Sequence, residues 1–95
     1  MDNPMKWLYA MFFDTRSHKE RKVEKTCVDN YTVDTCDTAD YGYETAIWKD
    51  NNDIVIVERY ENRTEAENGH KKWVDFCKKH PKSVWSVQLD EEIDL

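Results

Sequence analysis

A single amphipathic helix, bounded at both ends, is the feature that most constrains how this chain can fold. We predict that it begins at Asn62, whose side chain can accept hydrogen bonds from the free amides of the first turn, with Glu65 three residues later in a capping-box arrangement. His80-Pro81 ends it, because the residue before a proline avoids helical angles. One continuous stripe of the helix is expected to pack on a sheet, and Gly69 beside it allows a close approach. The stripe contains Ala66, His70, Trp73, Val74 and Cys77.

The rest of the chain has the composition and turn signals of strands. The segment 23–35 is interrupted by Asp29-Asn30, so it is either one bent strand or two short ones. An Asn/Asp cluster separates two β-rich runs and predicts a hairpin. The predicted strands are Trp7–Phe13, Val23–Thr35, Tyr43–Trp48, Ile54–Tyr60 and Val84–Leu89. The sequence therefore predicts an α+β fold: an antiparallel sheet of four to five strands with one amphipathic helix packed on one face.

The size of the chain limits what this fold can cover. Ninety-five residues predict a single domain, residues 1–95, with the acidic tail 90–95 expected to fray. The run Ile54–Val57 is apolar on both faces, which predicts a central strand. One helix covers only one face of a sheet, so apolar surface is left over and a partner surface, self or foreign, is expected. The surplus aromatic residues are Trp7, Trp48, Trp85, Tyr41 and Tyr43.

The charge of the chain is −6, from 20 acidic and 14 basic residues. A general nucleic-acid binder needs an excess of Lys and Arg, so direct binding of nucleic acid is not expected. The segment 29–53 holds seven acids and one lysine, which suits a partner with a basic surface or mimicry of nucleic acid, although a solvated loop also explains it. The predicted partner-binding residues are Asp34, Asp37, Asp40, Tyr41 and Trp48.

Cysteine content and hydropathy bear on location. Three cysteines, an odd number, without a pattern typical of a secretory signal predict reduced thiols inside a cell. The most apolar stretch, Trp7–Phe13, is far shorter than the roughly 20 residues of a membrane span. We therefore expect a soluble intracellular protein that does not enter a membrane.

No residue pattern predicts catalysis. His70 and Cys77, two helical turns apart, could share a zinc ion with Cys27 or Cys36. Zinc sites usually contain two ligands close in sequence, however, and Cys27 and Cys36 are too far apart to form such a pair. A Cys–His nucleophile is disfavoured because Cys77 lies near the helix C-terminus, where the helix dipole opposes a thiolate. We expect no metal, no cofactor and no catalytic residue, with Cys77 as a core residue and His70 as a buried histidine hydrogen-bonded to the sheet.

Three short segments of the hairpin and helix carry a resemblance. They are Tyr43-Glu44-Thr45-Ala46, Val57-Glu58-Arg59-Tyr60, and Glu65-Ala66 followed by Gly69-His70 and Trp73-Val74. This pattern, over residues 34–77, resembles a family of small proteins from phages and prophages of Gram-positive bacteria. The resemblance brings no activity with it. It implies an accessory phage protein in the cytoplasm of the bacterial host, a context in which small acidic proteins often disable host or defence proteins, anti-CRISPR inhibitors among them.

Three functional hypotheses follow. The first is a non-enzymatic phage protein that binds and inhibits a host or anti-phage defence protein through an acidic and aromatic surface. The second is a homodimer or higher oligomer that serves as a scaffold or sequesters a small ligand, such as a nucleotide signal, in a pocket between chains. The third, a zinc or thiol enzyme, has the weakest support in the residues.

Overall fold

The computed structural model describes residues 22–38 and 42–95. In chain order these residues form β1 (Lys22–Val28), β2 (Tyr31–Thr38), β3 (Gly42–Lys49), β4 (Val55–Tyr60), α1 (Arg63–Cys77), β5 (Ser83–Ser86) and β6 (Glu91–Asp94). The first four strands make an antiparallel sheet in the order β1-β2-β3-β4, and β5 pairs with β6 in a second, two-stranded sheet. The predicted α+β fold is confirmed. The strand predicted at Trp7–Phe13 lies outside the described residues.

The segment that was either one strand or two is a hairpin. Val28 pairs with Tyr31, which leaves Asp29-Asn30 as a two-residue turn. Asp29 has a φ of 53°, a left-handed conformation that Asp tolerates better than most residues. The turn between β3 and β4 is hydrogen-bonded to this one: the Asp50 amide donates to the Asn30 carbonyl at 2.8 Å.

The β3–β4 hairpin forms as predicted and contains an irregularity that matters for the site. Ala46 pairs with Ile56, but the preceding residue, Thr45, pairs with Glu58. Val57 is therefore an extra residue on β4. A bulge of this kind lets two successive side chains serve the same side of a sheet. Val57 joins the core beneath the helix, and Glu58 also reaches the helix, where it accepts a hydrogen bond from Trp73.

The position of β4 differs from the prediction. Val55, Ile56 and Val57 are all buried, as an apolar run on both faces requires, yet β4 is at the end of the four-strand order and not at its centre. Its outer edge receives a hydrogen bond from the Val87 amide to the Ile56 carbonyl at 2.9 Å. Burial of both faces depends on what lies above and below a sheet, so it does not require a strand on each side.

The helix begins at the predicted cap but ends before the predicted stop at His80-Pro81. Asn62 accepts a hydrogen bond from the Glu65 amide at 2.9 Å, and Glu65 reaches back to the amide of Glu61, one residue before the cap. The helix ends at Cys77. His80 then adopts a φ of 54° immediately before Pro81.

The core has two parts on opposite faces of the main sheet. The larger part lies under α1 and the small sheet, and its buried members are Tyr31, Val33, Ile47, Val55, Val57, Cys77 and Val84. The smaller part comprises Cys36, Ala46 and Ile56, with Trp48 and Ile54 packed against it. Because Cys36, Ala46 and Ile56 are buried, the second face is not the open apolar surface that the sequence led us to expect.

The acidic tail does not fray as predicted. Glu91–Asp94 forms β6 and pairs along its whole length with β5. Ile93 and Leu95 pack against the larger core, and the Leu95 amide donates to the Lys82 carbonyl at 2.9 Å. The contacts of Ile93 and Leu95, together with the pairing to β5, therefore hold the tail on the protein.

Candidate functional site

The small β5–β6 sheet presents one face to the core and the other to solvent. Its strands alternate, so Val84 and Ile93 form an inward pair while Trp85 and Glu92 form an outward pair. The connecting turn is closed at Ser86, whose hydroxyl oxygen accepts from the Leu89 amide and whose carbonyl accepts from the Asp90 amide, both at 2.9 Å. This hairpin therefore directs Trp85 away from the core.

The hairpin combines exposed apolar residues with carboxylates. Trp85, Val87 and Leu89 are exposed at 49%, 37% and 43%, and they are the large apolar side chains most open to solvent in the described chain. Four exposed acids follow within the same hairpin: Asp90, Glu91, Glu92 and Asp94. We call these seven residues the C-terminal surface.

A groove of about 400 Å³ separates the hairpin from the C-terminal half of α1. Its lining consists of Lys72, Trp73, Phe76, Ser83, Val84, Trp85 and Glu92, and we call it the aromatic groove. Trp73 is fixed there, since its indole N–H donates to Glu58 Oε1 at 2.8 Å and its ring meets Phe76 edge-on at 5.1 Å. The groove thus has preformed aromatic walls.

Of the two charged side chains that line the groove, Lys72 is in an ion pair with another described residue and Glu92 is not. Lys72 Nζ lies 2.7 Å from Glu58 Oε1 and 5.3 Å from the centre of the Trp73 ring, so its charge is compensated. Burial alone raises the pKa of Glu58, but the hydrogen bonds from Lys72 and Trp73 outweigh it and leave that pKa below its ordinary value. Glu92 accepts a hydrogen bond from Ser83 Oγ at 2.7 Å and has no ion pair with any residue of 22–38 or 42–95.

A second feature, a chain of buried hydrogen bonds, joins α1 to the main sheet. His70 Nε2 lies 2.9 Å from Thr26 Oγ1, and His70 Nδ1 lies 2.7 Å from Thr35 Oγ1. The chain continues from Thr35 to Thr45 at 2.6 Å and from Thr45 to the Tyr60 hydroxyl at 2.9 Å. Buried polar groups of this kind are stable only when each has a partner, which this chain provides.

Burial affects the two ionisable groups of this hydrogen-bonded chain. Burial lowers the pKa of His70 and keeps the ring neutral, and burial raises the pKa of Tyr60. His70 is only 1% exposed. Tyr60 borders a cavity of about 370 Å³ that is also lined by Arg59, Glu65 and Lys72. Both bases at this cavity are paired with acids: Lys72 with Glu58 and Arg59 with Glu44.

Of the five partner-binding residues predicted from the sequence, the three that the structure describes do not form one surface. Asp34 is 4% exposed and forms an ion pair with Lys22 inside the fold. Asp37 is three residues further along β2 and therefore faces the other side of the sheet, partly buried. Trp48 is half-buried against the smaller core, and Asp40 and Tyr41 lie outside the described residues.

The predicted helix–sheet residues lie together between α1 and the sheet. Ala66, His70 and Cys77 are fully buried, and Trp73 packs at the edge of the larger core. Gly69 lies against the ring of Tyr60, where any side chain would overlap it. His70 is hydrogen-bonded to two threonines of the sheet, Thr26 on β1 and Thr35 on β2.

The cysteines do not converge on a metal site. Cys27 is exposed on β1, whereas Cys36 and Cys77 are buried in different parts of the core. Burial raises the pKa of the Cys77 thiol to about 11. Across 22–38 and 42–95, no three His, Cys, Asp or Glu side chains are grouped so that they could hold a metal ion. No helix in the described part of the chain is long and apolar enough to span a membrane.

The sequence reasoning counted Trp85 among the surplus aromatics but missed the site around it. The signal was the alternation of Ser83-Val84-Trp85-Ser86, which buries Val84 and exposes Trp85 once the following acidic segment pairs with it. Treating that segment as frayed hid the pairing. Comparisons of this chain with protein-family models, with curated proteins and with solved structures find no match.

Proposed function

We propose that this protein is a non-enzymatic binding protein, an accessory phage protein that binds and inhibits a host or anti-phage defence protein through its C-terminal surface. The observation that carries the proposal is the exposure of Trp85, Val87 and Leu89 in one short hairpin. A soluble chain rarely leaves neighbouring large apolar side chains open unless a partner covers them. Tryptophan is also among the residues that most often dominate binding energy at protein interfaces.

The charge around these apolar residues favours a basic partner. Asp90, Glu91, Glu92 and Asp94 are exposed beside Trp85, Val87 and Leu89, without a lysine or arginine between them in sequence. Acidic rims of this kind attract a basic surface over a distance and speed its association, and salt weakens the attraction. The acidic and aromatic contact surface expected from the sequence is thus assigned to the hairpin and no longer to Asp34, which the fold itself uses.

The phage context of the proposal rests on the resemblance in the hairpin and helix. The residues of that pattern contact one another here: Tyr60 covers Gly69, and Trp73 donates to Glu58. A pattern made of mutually contacting residues is what a shared fold requires, so it supports a common architecture and leaves the function to the surface. A host or defence protein in the bacterial cytoplasm is the partner that this context suggests.

A second candidate function is a homo-oligomer that acts as a scaffold or sequesters a small ligand. The same exposed apolar residues favour it, because a second copy of the chain could cover Trp85 and its neighbours. The two candidates differ in the mass of the isolated protein, since only the second predicts a stable oligomer without any other component.

The test is an affinity capture from lysates of Gram-positive bacteria, eluted with salt, with light scattering on the same purified protein. The wild-type chain is compared with Trp85→Ala and Glu92→Lys. Glu24→Lys is the matched control, because Glu24 is an exposed acid on β1, at the opposite edge of the main sheet from β4. Thermal unfolding of each variant checks that the fold is kept.

We expect a stoichiometric partner that salt releases, that the Glu24→Lys variant retains and that both hairpin variants lose. The purified partner should also be inhibited by the wild-type protein and not by the Trp85→Ala variant. Equal capture by Trp85→Ala would contradict the proposed surface. A stable oligomer without a captured protein would favour the second candidate.

A further inference from the structure

We infer that the aromatic groove receives an arginine side chain of the basic partner, with the guanidinium group between Trp85 and Glu92. The inference rests on the proposed function and deepens it, because it names the chemistry that the C-terminal surface recognises. It follows from the rings that line the groove and from the distribution of charge on its rim.

The aromatic rings of the groove are suited to binding a cation, and the Trp73 ring already contacts the ammonium group of Lys72. Lys72 Nζ lies 5.3 Å from the centre of the Trp73 ring, a cation–π contact within the chain. Trp85, on the opposite wall, is 49% exposed and makes neither a ring contact nor a cation–π contact with any residue of the described chain. The groove therefore contains an indole that is open to a second cation.

The rim next to that indole carries an unneutralised negative charge. Lys72 is paired with Glu58 at 2.7 Å, so it does not neutralise the groove. Glu92 is the cross-strand neighbour of Trp85, and the hydrogen bond from Ser83 orients its carboxylate. A carboxylate held beside an open tryptophan attracts a positive group and repels a negative one.

Arginine fits this pair of groups better than lysine does. A guanidinium is planar, so it can stack on an indole and donate two hydrogen bonds to a carboxylate in the same pose. Its weaker hydration makes it easier to place in a partly apolar groove. The aliphatic stem of the arginine would lie along Val84 and Phe76, in a groove of about 400 Å³.

The experiment uses the full chain labelled with ¹⁵N and follows the indole N–H resonances, assigned by Trp→Phe variants. The probe is N-acetyl-arginine N-methylamide. The matched probes are the citrulline analogue, which has nearly the same shape without charge, and the lysine analogue. The variants are Glu92→Gln, which removes only the charge, and Glu24→Gln, the same change on β1.

We expect the Trp85 resonance to shift and saturate with the arginine probe, less with lysine and not with citrulline. Glu92→Gln should weaken the apparent affinity about three- to fivefold, the size of a partly exposed charge contact, and Glu24→Gln should not. Equal shifts with citrulline, or no shift at Trp85, would overturn the inference. A Trp85 resonance that changes with protein concentration before any probe is added would identify a second copy as the occupant and also overturn it.

The outcome is separable from that of the proposed function. If Trp85→Ala abolishes capture of the partner but the arginine probe leaves Trp85 unchanged, the surface binds a protein by other chemistry and only the arginine assignment fails. If the probe binds but no partner is captured, the groove recognises arginine and the proposed function fails.

Discussion

Tyr60 and Gly69 illustrate how single residues set the distance between helix and sheet. The Tyr60 ring lies where the first side-chain atom of any residue at position 69 would be, and its hydroxyl completes the buried chain through Thr45. A glycine inside a helix costs roughly 1 kcal/mol relative to alanine in intrinsic propensity. The close approach of helix and ring explains why this position bears that cost.

Gly69→Ala is therefore expected to destabilise the fold by about 1–3 kcal/mol, because the overlap with Tyr60 outweighs the gain in helix propensity. The measurement is the free energy of unfolding in urea. Asn68→Ala is the matched control, since Asn68 is the adjacent, exposed helical residue. A Gly69→Ala chain as stable as the control variant would show that Tyr60 moves aside at no cost.

His70 makes the stability of the fold dependent on pH. Burial lowers its pKa below the ordinary 6.5, against the opposing effect of Glu24 and Asp34, so the neutral ring is favoured in the folded chain. The unfolded chain binds the proton more readily, so the stabilisation is complete above pH 6.5 and is lost as the pH falls through 6.5 toward the lowered value. We expect the free energy of unfolding to decline in this window.

The check is an NMR titration of the His70 ring together with unfolding at several pH values. The ring should titrate below 6.5, and His70→Gln should flatten the decline in stability just below that pH. Titration of His70 at or above its ordinary value would contradict the burial argument, whatever the stability of the variant.

At the scale of secondary structure, the β5–β6 hairpin is the element on which the proposed function depends. It is attached to the rest of the fold by Val84 and Ile93 on its inner face and by the Val87 amide on the edge of β4. Its outer face contributes nothing to the core. Inner and outer substitutions should therefore separate stability from binding.

Ile93→Ala is expected to cost about 1–2 kcal/mol, because a half-buried isoleucine loses part of the contact that a fully buried one would lose. Asp94→Ala, on the outer face of the same strand, should leave the unfolding midpoint nearly unchanged. Equal midpoints for both variants would indicate that the tail frays after all. Chemical denaturation measures both.

At the scale of the whole molecule, the described residues form a sheet with a buried cluster on each face and a small acidic hairpin at one edge. Some positively charged side chains form ion pairs within the fold, as Lys22 does with Asp34 and Lys72 does with Glu58. The acids of the hairpin are left to solvent. Within the described residues, the C-terminal surface therefore presents four exposed carboxylates in one short hairpin.

The three thiols report on the integrity of this arrangement. Cys27 is exposed, while Cys36 and Cys77 are buried in separate clusters and burial raises the pKa of Cys77 to about 11. We expect Ellman's reagent to modify one thiol per native chain quickly and the other two only as the chain unfolds. Cys27→Ser should remove the fast phase. A fast phase of two or three thiols would show that a core cluster opens in the native state.

The elements that sequence reasoning predicted well are those whose signals are local. The Asn62 cap and the β3–β4 hairpin each depend on residues within a few positions, so a pattern in the chain is sufficient. The tail was predicted wrongly, because its four acids suggested solvation while Ile93 and Leu95 found core contacts that no local pattern reveals.

The candidate site shows the same division. The spacing of Asp34 and Asp37 suggested one acidic surface, but a strand places residues three apart on opposite faces, and Lys22 neutralises the first of them. The aromatic groove joins the C-terminal half of α1 to β5 and β6. Its walls come together only through tertiary packing, so composition could count its tryptophans but could not pair them.

The amino-acid sequence alone determined where the helix begins, that the β3–β4 segment is a hairpin, and the overall negative charge, because turns, caps and composition are properties of neighbouring residues. Tertiary structure decided that β4 is at an edge, that Asp34 forms an ion pair with Lys22 and that Trp85 is exposed to solvent beside Glu92. The reason is physical: whether a side chain is buried, paired or exposed depends on residues far along the chain that reach it only when the elements pack.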